Sequence, residues 1–269
     1  MTPRLATDRV TAPDADPDRW MAVLHGIYGA GRNWASVARR FVRERPEWGA
    51  LLVDLRMHGD SQGFAPPHTI RACADDLAAL VADTGLDVDA ALGHSFGGKV
   101  ALLWSAEDAP AATWVVDSTP DRRTPDGSAW QMLDMLRAHP GPFADRADGI
   151  AAVESAGFPN PVAQWMATNL VPVEGGAMAW RIDVDAMDAL MRDFFETDAW
   201  QAVERPPPGS EIHVVKAEES SVLTEEACAR VEAAGLATER VHLHRVSGGH
   251  WVNADAPDEL HALLVEHMP

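Results

Sequence analysis

Two lysines, Lys99 and Lys216, and two cysteines, Cys73 and Cys228, are all that 269 residues contain of either type. The cysteines lie far apart in helix-like segments, so they offer neither a disulfide framework nor the paired spacing of a metal site and read as packing residues. Positive charge is scarce as well: 22 Lys and Arg face 41 Asp and Glu, for a net charge of −19. Such a field repels phosphate, which argues against nucleic-acid or anionic-membrane partners. The preference for Arg over Lys carries no function by itself. No window approaches the ~20 apolar residues of a membrane span, and Met1 to Trp20 lacks the apolar run of a secretory signal. A soluble cytoplasmic protein is expected, as a monomer or homodimer acting on a small molecule.

What is present is an ordinary globular composition, 46% hydrophobic, in a length that suits one large domain carrying an insertion. Short apolar runs alternate with amphipathic stretches. Strands are expected at Trp20 to His25, Ala50 to Asp54, Ala90 to Leu92 and Thr113 to Asp117, with helices over Asn33 to Arg45, Ile70 to Asp83 and Phe96 to Ser105. Continuous apolar strands between helices indicate a parallel sheet covered on both faces, an α/β fold. After Pro120 the rhythm breaks, and up to Gly209 only helix-like pieces rich in Trp, Met and Ala are visible, closed by Pro206, Pro207, Pro208 and Gly209. The sheet resumes at Ile212 to Lys216, followed by a helix from Thr224, a strand over Arg240 to Val246 and a helix from Pro257. Residues 1–118 and 210–269 are therefore expected to form the core and 119–209 a helical cap.

The sharpest local signal is Gly93-His94-Ser95-Phe96-Gly97-Gly98, between a predicted strand and a predicted helix. It fits the G-x-S-x-G nucleophile elbow, in which a tight turn lifts the serine above the sheet edge and the following amide, that of Phe96, faces a developing oxyanion. A serine hydroxyl needs a base. Of eleven histidines, His250 stands in the loop Ser247 to Trp251 at the carboxyl end of the last strand, where sites are usual. His242 and His244 alternate within that strand and read as sheet residues, while His261 and His267 fall on the terminal helix and read as solvated. For the acid that orients the imidazole, Asp117 at the end of its strand is favoured over Glu218 or Glu219, because the loop after Lys216 has Ser220 where an aspartate would fall by phase. The loop His25-Gly26-Ile27-Tyr28-Gly29 is the expected second oxyanion donor, through the Ile27 amide or, second, that of Tyr28. No phosphate-binding glycine loop is present. Asp54 to Ser61, with Arg56 and His58, reads as a hydrogen-bonded turn rather than as catalytic machinery.

Taken in order, His25-Gly26, Asp54 to Ser61, the Gly93 to Gly98 elbow and Gly249-His250 resemble the α/β-hydrolase superfamily over nearly the whole chain. Leu24 to Gly29, Gly31 to Trp34, Gly97-Gly98-Lys99 and Val116-Asp117 look like a group of small bacterial serine esterases whose acid follows the sixth strand. The resemblance implies hydrolysis of short acyl esters or thioesters, oxyanion donors at Ile27 and Phe96, and a helical cap over the pocket. Two residues depart from that pattern. Met57 replaces a small or polar residue and is expected to alter the pocket, and Ser220 stands where many relatives carry the acid.

The expectation is thus a serine hydrolase of small, mainly apolar esters with Ser95 as nucleophile, His250 as base and Asp117 as acid. Tyr28, Trp130, Trp165 and Trp251 are expected to bind substrate, although any one aromatic at helical spacing more often packs within its own layer. No metal or organic cofactor is implied. A carbon–carbon bond hydrolase would use the same serine and histidine but needs a cationic carboxylate clamp, for which Arg122, Arg123, Arg181 or Arg192 are the candidates. A non-catalytic ligand receptor of the same fold has no need of the base.

Overall fold

Strands that are apolar on both faces pair side by side only where helices cover both faces of their sheet, and the chain is built on that constraint. The computed structural model describes residues 3–269. In chain order it holds β1 (Thr7–Val10), β2 (Arg19–Leu24), α1 (Ala35–Glu44), β3 (Trp48–Val53), α2 (Ile70–Thr84), β4 (Val88–His94), α3 (Phe96–Asp108) and β5 (Ala112–Val116). Then come α4 (Gly127–Ala138), α5 (Arg146–Ser155), α6 (Asn160–Met166), β6 (Leu170–Pro172), β7 (Met178–Trp180), α7 (Val184–Glu196) and α8 (Trp200–Glu204). The chain finishes with β8 (Glu211–Ala217), α9 (Glu225–Thr238), β9 (Val241–Val246), α10 (Val252–Asp255) and α11 (Pro257–His267).

Seven strands form one sheet in the order β1-β3-β2-β4-β5-β8-β9. Every pairing is parallel except that of β1 with β3. Phe41 of α1 and Leu260 and Leu264 of α11 pack on one face with Trp48 and Trp114. Ile70 and Leu77 of α2 and Val100 and Trp104 of α3 pack on the other with Leu24 and Leu51. This is an α/β-hydrolase fold.

Two features differ from the sequence expectation. Strand β1 is largely exposed and polar, so it carries no apolar period to read. Within 119–209, where only helices were expected, β6 and β7 form a two-stranded antiparallel sheet; three residues each are too few for an alternation to show. Residues 117–210, between β5 and β8, also carry α4 to α8. Their Met132, Leu136, Met166, Met187 and Leu190 belong to the same apolar cluster as α2 and α3, so this segment has no core of its own. Lys99, the fourth residue of α3, is completely buried. Its Nζ donates to the carbonyls of Asp121, Phe194 and Thr197 at 2.6–2.8 Å, and burial lowers its pKa to about 8. Among the described residues no helix is long and apolar enough to cross a membrane.

Candidate active site

Strand β4 ends at His94 and α3 begins at Phe96, which leaves a single residue, Ser95, to make the turn. Its backbone takes φ 51°, ψ −116°, a conformation a non-glycine residue adopts only under constraint. The constraint is packing. A Cβ on Gly93 would lie 2.1 Å from the Gly97 carbonyl oxygen, and one on Gly97 would lie 2.7 Å from those of Leu24 and His25. Both positions must be glycine for the turn to close. The Ser95 N–H donates to Val116 O at 3.0 Å, which ties the turn to the end of β5.

One residue further along, Asp117 also has positive φ, 41°, and its side chain is fully buried. Its N–H donates to Val215 O at 2.8 Å, which turns the carboxylate towards the loop after β9. There His250 stands with Nδ1 2.6 Å from Asp117 Oδ2 and Nε2 3.1 Å from Ser95 Oγ. Nδ1–H donating to the carboxylate leaves Nε2 as the acceptor for the serine proton. Glu218 and Glu219 are both exposed, and the Glu218 carboxylate lies towards Arg245, not towards the imidazole.

Several further residues support this chain of bonds, and none of them declares that role in the sequence. Ser220, the apparent departure, donates its hydroxyl to Asp117 Oδ2 at 2.5 Å, and the Ala217 N–H donates to Oδ1 at 3.3 Å. Lys216 in turn donates through Nζ to the carbonyls of Ser220 and Ala217, at 2.5 and 2.6 Å, which shapes that loop around the carboxylate. His94 donates from Nε2 to His250 O at 2.8 Å. Burial lowers the His94 pKa to about 3, so the ring is neutral there. Beneath it His25 and His58 are likewise pushed down by burial, to about 4 and about 3. His25 donates from Nδ1 to Gly26 O and accepts the Leu55 N–H on Nε2, which fixes its tautomer. Ser220 was visible in the sequence only as a gap in a pattern.

Residues Gly26 to Gly29 form a tight turn closed by Gly29 N–H donating to Gly26 O at 3.0 Å, with Tyr28 at φ 62°. Asn169 Nδ2 donates to Tyr28 O at 2.9 Å and pins the turn from the segment between β5 and β8. No sequence signal marked Asn169. Phe96 is the first residue of α3, and its N–H therefore lies in a turn without intrahelical acceptors. The Gly26 to Gly29 turn and the start of α3 thus border the serine.

A cavity of about 200 Å³ opens on Ser95 and His250. Ile27, Tyr28 and Trp251 line it, together with Met132, Phe158 and Trp165 from residues 117–210. Trp130 does not line it. Its ring lies edge-on to Phe195 and under the Arg192 guanidinium, because that face of α4 turns towards α7. Met57 does not line it either and packs in the core beneath. Asp54 holds the turn as expected, accepting the Gly31 and Asp60 amides, and Arg56 pairs with Asp76 at 2.6 Å. Among the described residues no Arg, Lys, Asp or Glu side chain lines the cavity. Arg122 is bound to Glu196 O, Arg123 to Val222 O, Arg181 to Asp60 and Arg192 to Asp188.

A serine beside an imidazole that a buried carboxylate orients can lose its proton as it attacks an acyl carbon. Similar proteins are known. The chain is 32% identical over 176 residues to the mouse sn-1-specific diacylglycerol lipase ABHD11, covering 61% of this chain and 55% of that relative's length. Its counterpart from Xenopus tropicalis is 25% identical over 254 residues, 87% of this chain and 73% of the relative. Among solved structures a marine microorganism esterase superposes with a TM-score of 0.84 at 20% identity, covering 99% of this chain and 100% of that one, a likeness of fold. The model of the alpha/beta hydrolase family matches residues 22–263, and the chain belongs to that family.

Proposed function

We propose that the protein is a serine hydrolase that cleaves small, mainly apolar carboxylic esters or thioesters through an acyl-enzyme. The observation that carries this reading is the uncharged cavity of about 200 Å³ opening on a serine, an imidazole and a buried carboxylate in hydrogen-bonded series. Ser95 Oγ attacks the acyl carbon while His250 Nε2 takes its proton, and Asp117 holds the Nδ1–H tautomer and the imidazolium that forms. The tetrahedral oxyanion is received by the Ile27 and Phe96 amides. His250 then returns the proton to the departing alcohol or thiol. Water, deprotonated by the same nitrogen, attacks the acyl-serine, and the acid leaves with Ser95 restored.

Residues 1–118 and 210–269 act as the core and 119–209 as a cap whose Met132, Phe158 and Trp165, with Tyr28 and Trp251 of the core, contact the acyl group. A space this size lies below the ~300–1,000 Å³ of drug-sized ligand sites, which favours short acyl chains. The four arginine candidates for a substrate-carboxylate clamp are all held elsewhere, which favours a neutral ester over the substrate of a carbon–carbon bond hydrolase. The names of the mouse and frog lipases and of the marine esterase support ester chemistry in the same direction. The test is mass spectrometry with peptide mapping after exposure to a fluorophosphonate, followed by a series of p-nitrophenyl esters. One adduct on Ser95, absent from Ser95→Ala, with turnover falling as the acyl chain lengthens, is expected. No adduct on folded protein would remove the serine-hydrolase reading.

A further inference from the structure

Strands β8 and β9 run parallel with His213 directly opposite His242, so Glu211, His213, His242 and His244 project from one face of adjacent strands. This cluster lies towards the amino ends of the strands, whereas Asp117, Ser220 and His250 gather beyond carboxyl ends. Glu211 Oε2 is 3.2 Å from His242 Nε2 and 3.6 Å from His213 Nε2, and the three donor atoms lie within 4.8 Å of one another. Donors around a four-coordinate zinc, with bonds of about 2.0–2.1 Å, stand about 3.3 Å apart. The spacing therefore suits a small divalent ion.

The hydrogen bonding points the same way. His213 is 98% buried, with 2% of its surface exposed, yet among the described residues neither its Nε2 nor that of His242 has a hydrogen-bond partner. His213 Nδ1 and His244 Nε2 are 3.0 Å apart. If Nδ1–H donates, His213 Nε2 presents a lone pair to the Glu211 carboxylate, two acceptors facing each other. The other tautomer aims an N–H at an oxygen 3.6 Å away, beyond bonding distance. A cation between the two acceptors resolves the conflict, and the bond to His244 is then the usual outer support of a metal-bound imidazole. Trp114 stacks under the His213 ring at 4.2 Å and 10°, which fixes its plane. His267 of α11, expected on the solvent side, instead packs its ring 4.9 Å from His244.

We propose that Glu211, His213 and His242 form a site for a borderline divalent transition metal such as Zn²⁺, separate from the hydrolytic centre. Two imidazoles and one carboxylate suit that class of ion, and Glu211, half exposed, is the side through which it enters and where water completes the coordination. The ion clips β8 to β9 and so stiffens the two strands whose other ends lead into the Ser220 and His250 loops.

Isothermal titration with ZnCl₂, with thermal unfolding in parallel, tests this on wild type, Glu211→Gln, His242→Gln and His250→Ala. The substitutions, at half-exposed Glu211 and partly buried His242, spare the fully buried His213, and circular dichroism checks their fold. Expected are one equivalent of Zn²⁺ per chain, at least tenfold weaker binding in Glu211→Gln and His242→Gln, and unchanged binding in His250→Ala. A metal-dependent rise in melting temperature should appear in wild type and His250→Ala only. Equal affinity in wild type and both strand variants, or no bound equivalent, overturns the proposal. Loss of binding in His250→Ala alone moves the metal to the triad and overturns it too.

Discussion

The loop after β5 and the loop after β8 leave neighbouring parallel strands at the same edge of the sheet, yet they meet His250 in opposite ways. The first puts a buried carboxylate against Nδ1 immediately beyond its strand; the second sends up a serine hydroxyl that donates to that same carboxylate. The imidazole needs one acceptor at one point in space, and the strand that supplies it is free to vary. Once Asp117 fills the point, a second acid at position 220 would set two negative charges side by side and raise one pKa. A hydroxyl there adds a donor to an anion that already accepts from Ala217 N–H and from the imidazole.

The division between the loops can be broken or sharpened in steps. Asp117→Asn, which keeps the shape and loses the charge, should lower kcat by about 10⁴-fold, because the amide favours the wrong imidazole tautomer. Ester turnover against substrate concentration measures this, and near-normal activity would shift the acid to Glu218 or Glu219. The rings beneath both loops give the next largest effect. Burial pushes the pKa of His25, His58 and His94 down to about 4, about 3 and about 3 in the folded chain, against about 6.5 for a free imidazole. Below about pH 6.5 the unfolded chain binds protons that the folded chain refuses, so stability is full above that value and falls as pH drops towards 4. Each such proton contributes up to about 1.4 kcal/mol per pH unit once the unfolded imidazole is fully protonated. Urea unfolding at about pH 7 and about pH 5 should show stability falling with pH, and replacing one of the three rings by Asn should make that fall shallower by up to about one proton.

Ser220→Ala is a smaller cut. Loss of one hydrogen bond to a charged group should cost about tenfold in kcat with KM nearly unchanged, since the hydroxyl touches no substrate. Restoration by Ser220→Thr separates the donated bond from mere packing, and a change confined to KM would assign the residue to the pocket instead. Smallest of all, Glu219→Gln should leave both constants within twofold of wild type, as its exposed side chain takes no part in the loop's grip on Asp117.

Much of this was legible because it is local. Ala50 to Asp54 and Thr113 to Asp117 read as buried parallel strands because each is an apolar run closed by an aspartate, and Ser95 between a strand and a helix declares its turn through the glycines the turn demands. Asp117 was legible from its place at a strand's end. Ser220 showed only as a missing acid, since a serine's partner 103 residues away leaves no trace in its neighbours. Asn169 was silent for the same reason: it acts on Tyr28 across 141 residues. Trp130 misled because helical spacing tells which residues share a face, not which way the face turns. Strands β1, β6 and β7 are too polar or too short to carry a period.

The scarcity of lysine has a practical reading once both residues are seen in place. Lys99 is wholly buried and Lys216 all but so, each with its ammonium closed in by carbonyl oxygens. Reagents that acylate amines should therefore pass over both side chains in the native protein. Acetylation of Lys99 is then a covalent record of the segment between β5 and β8 parting from α3, and acetylation of Lys216 a record of the Asp117 support coming apart, each readable peptide by peptide.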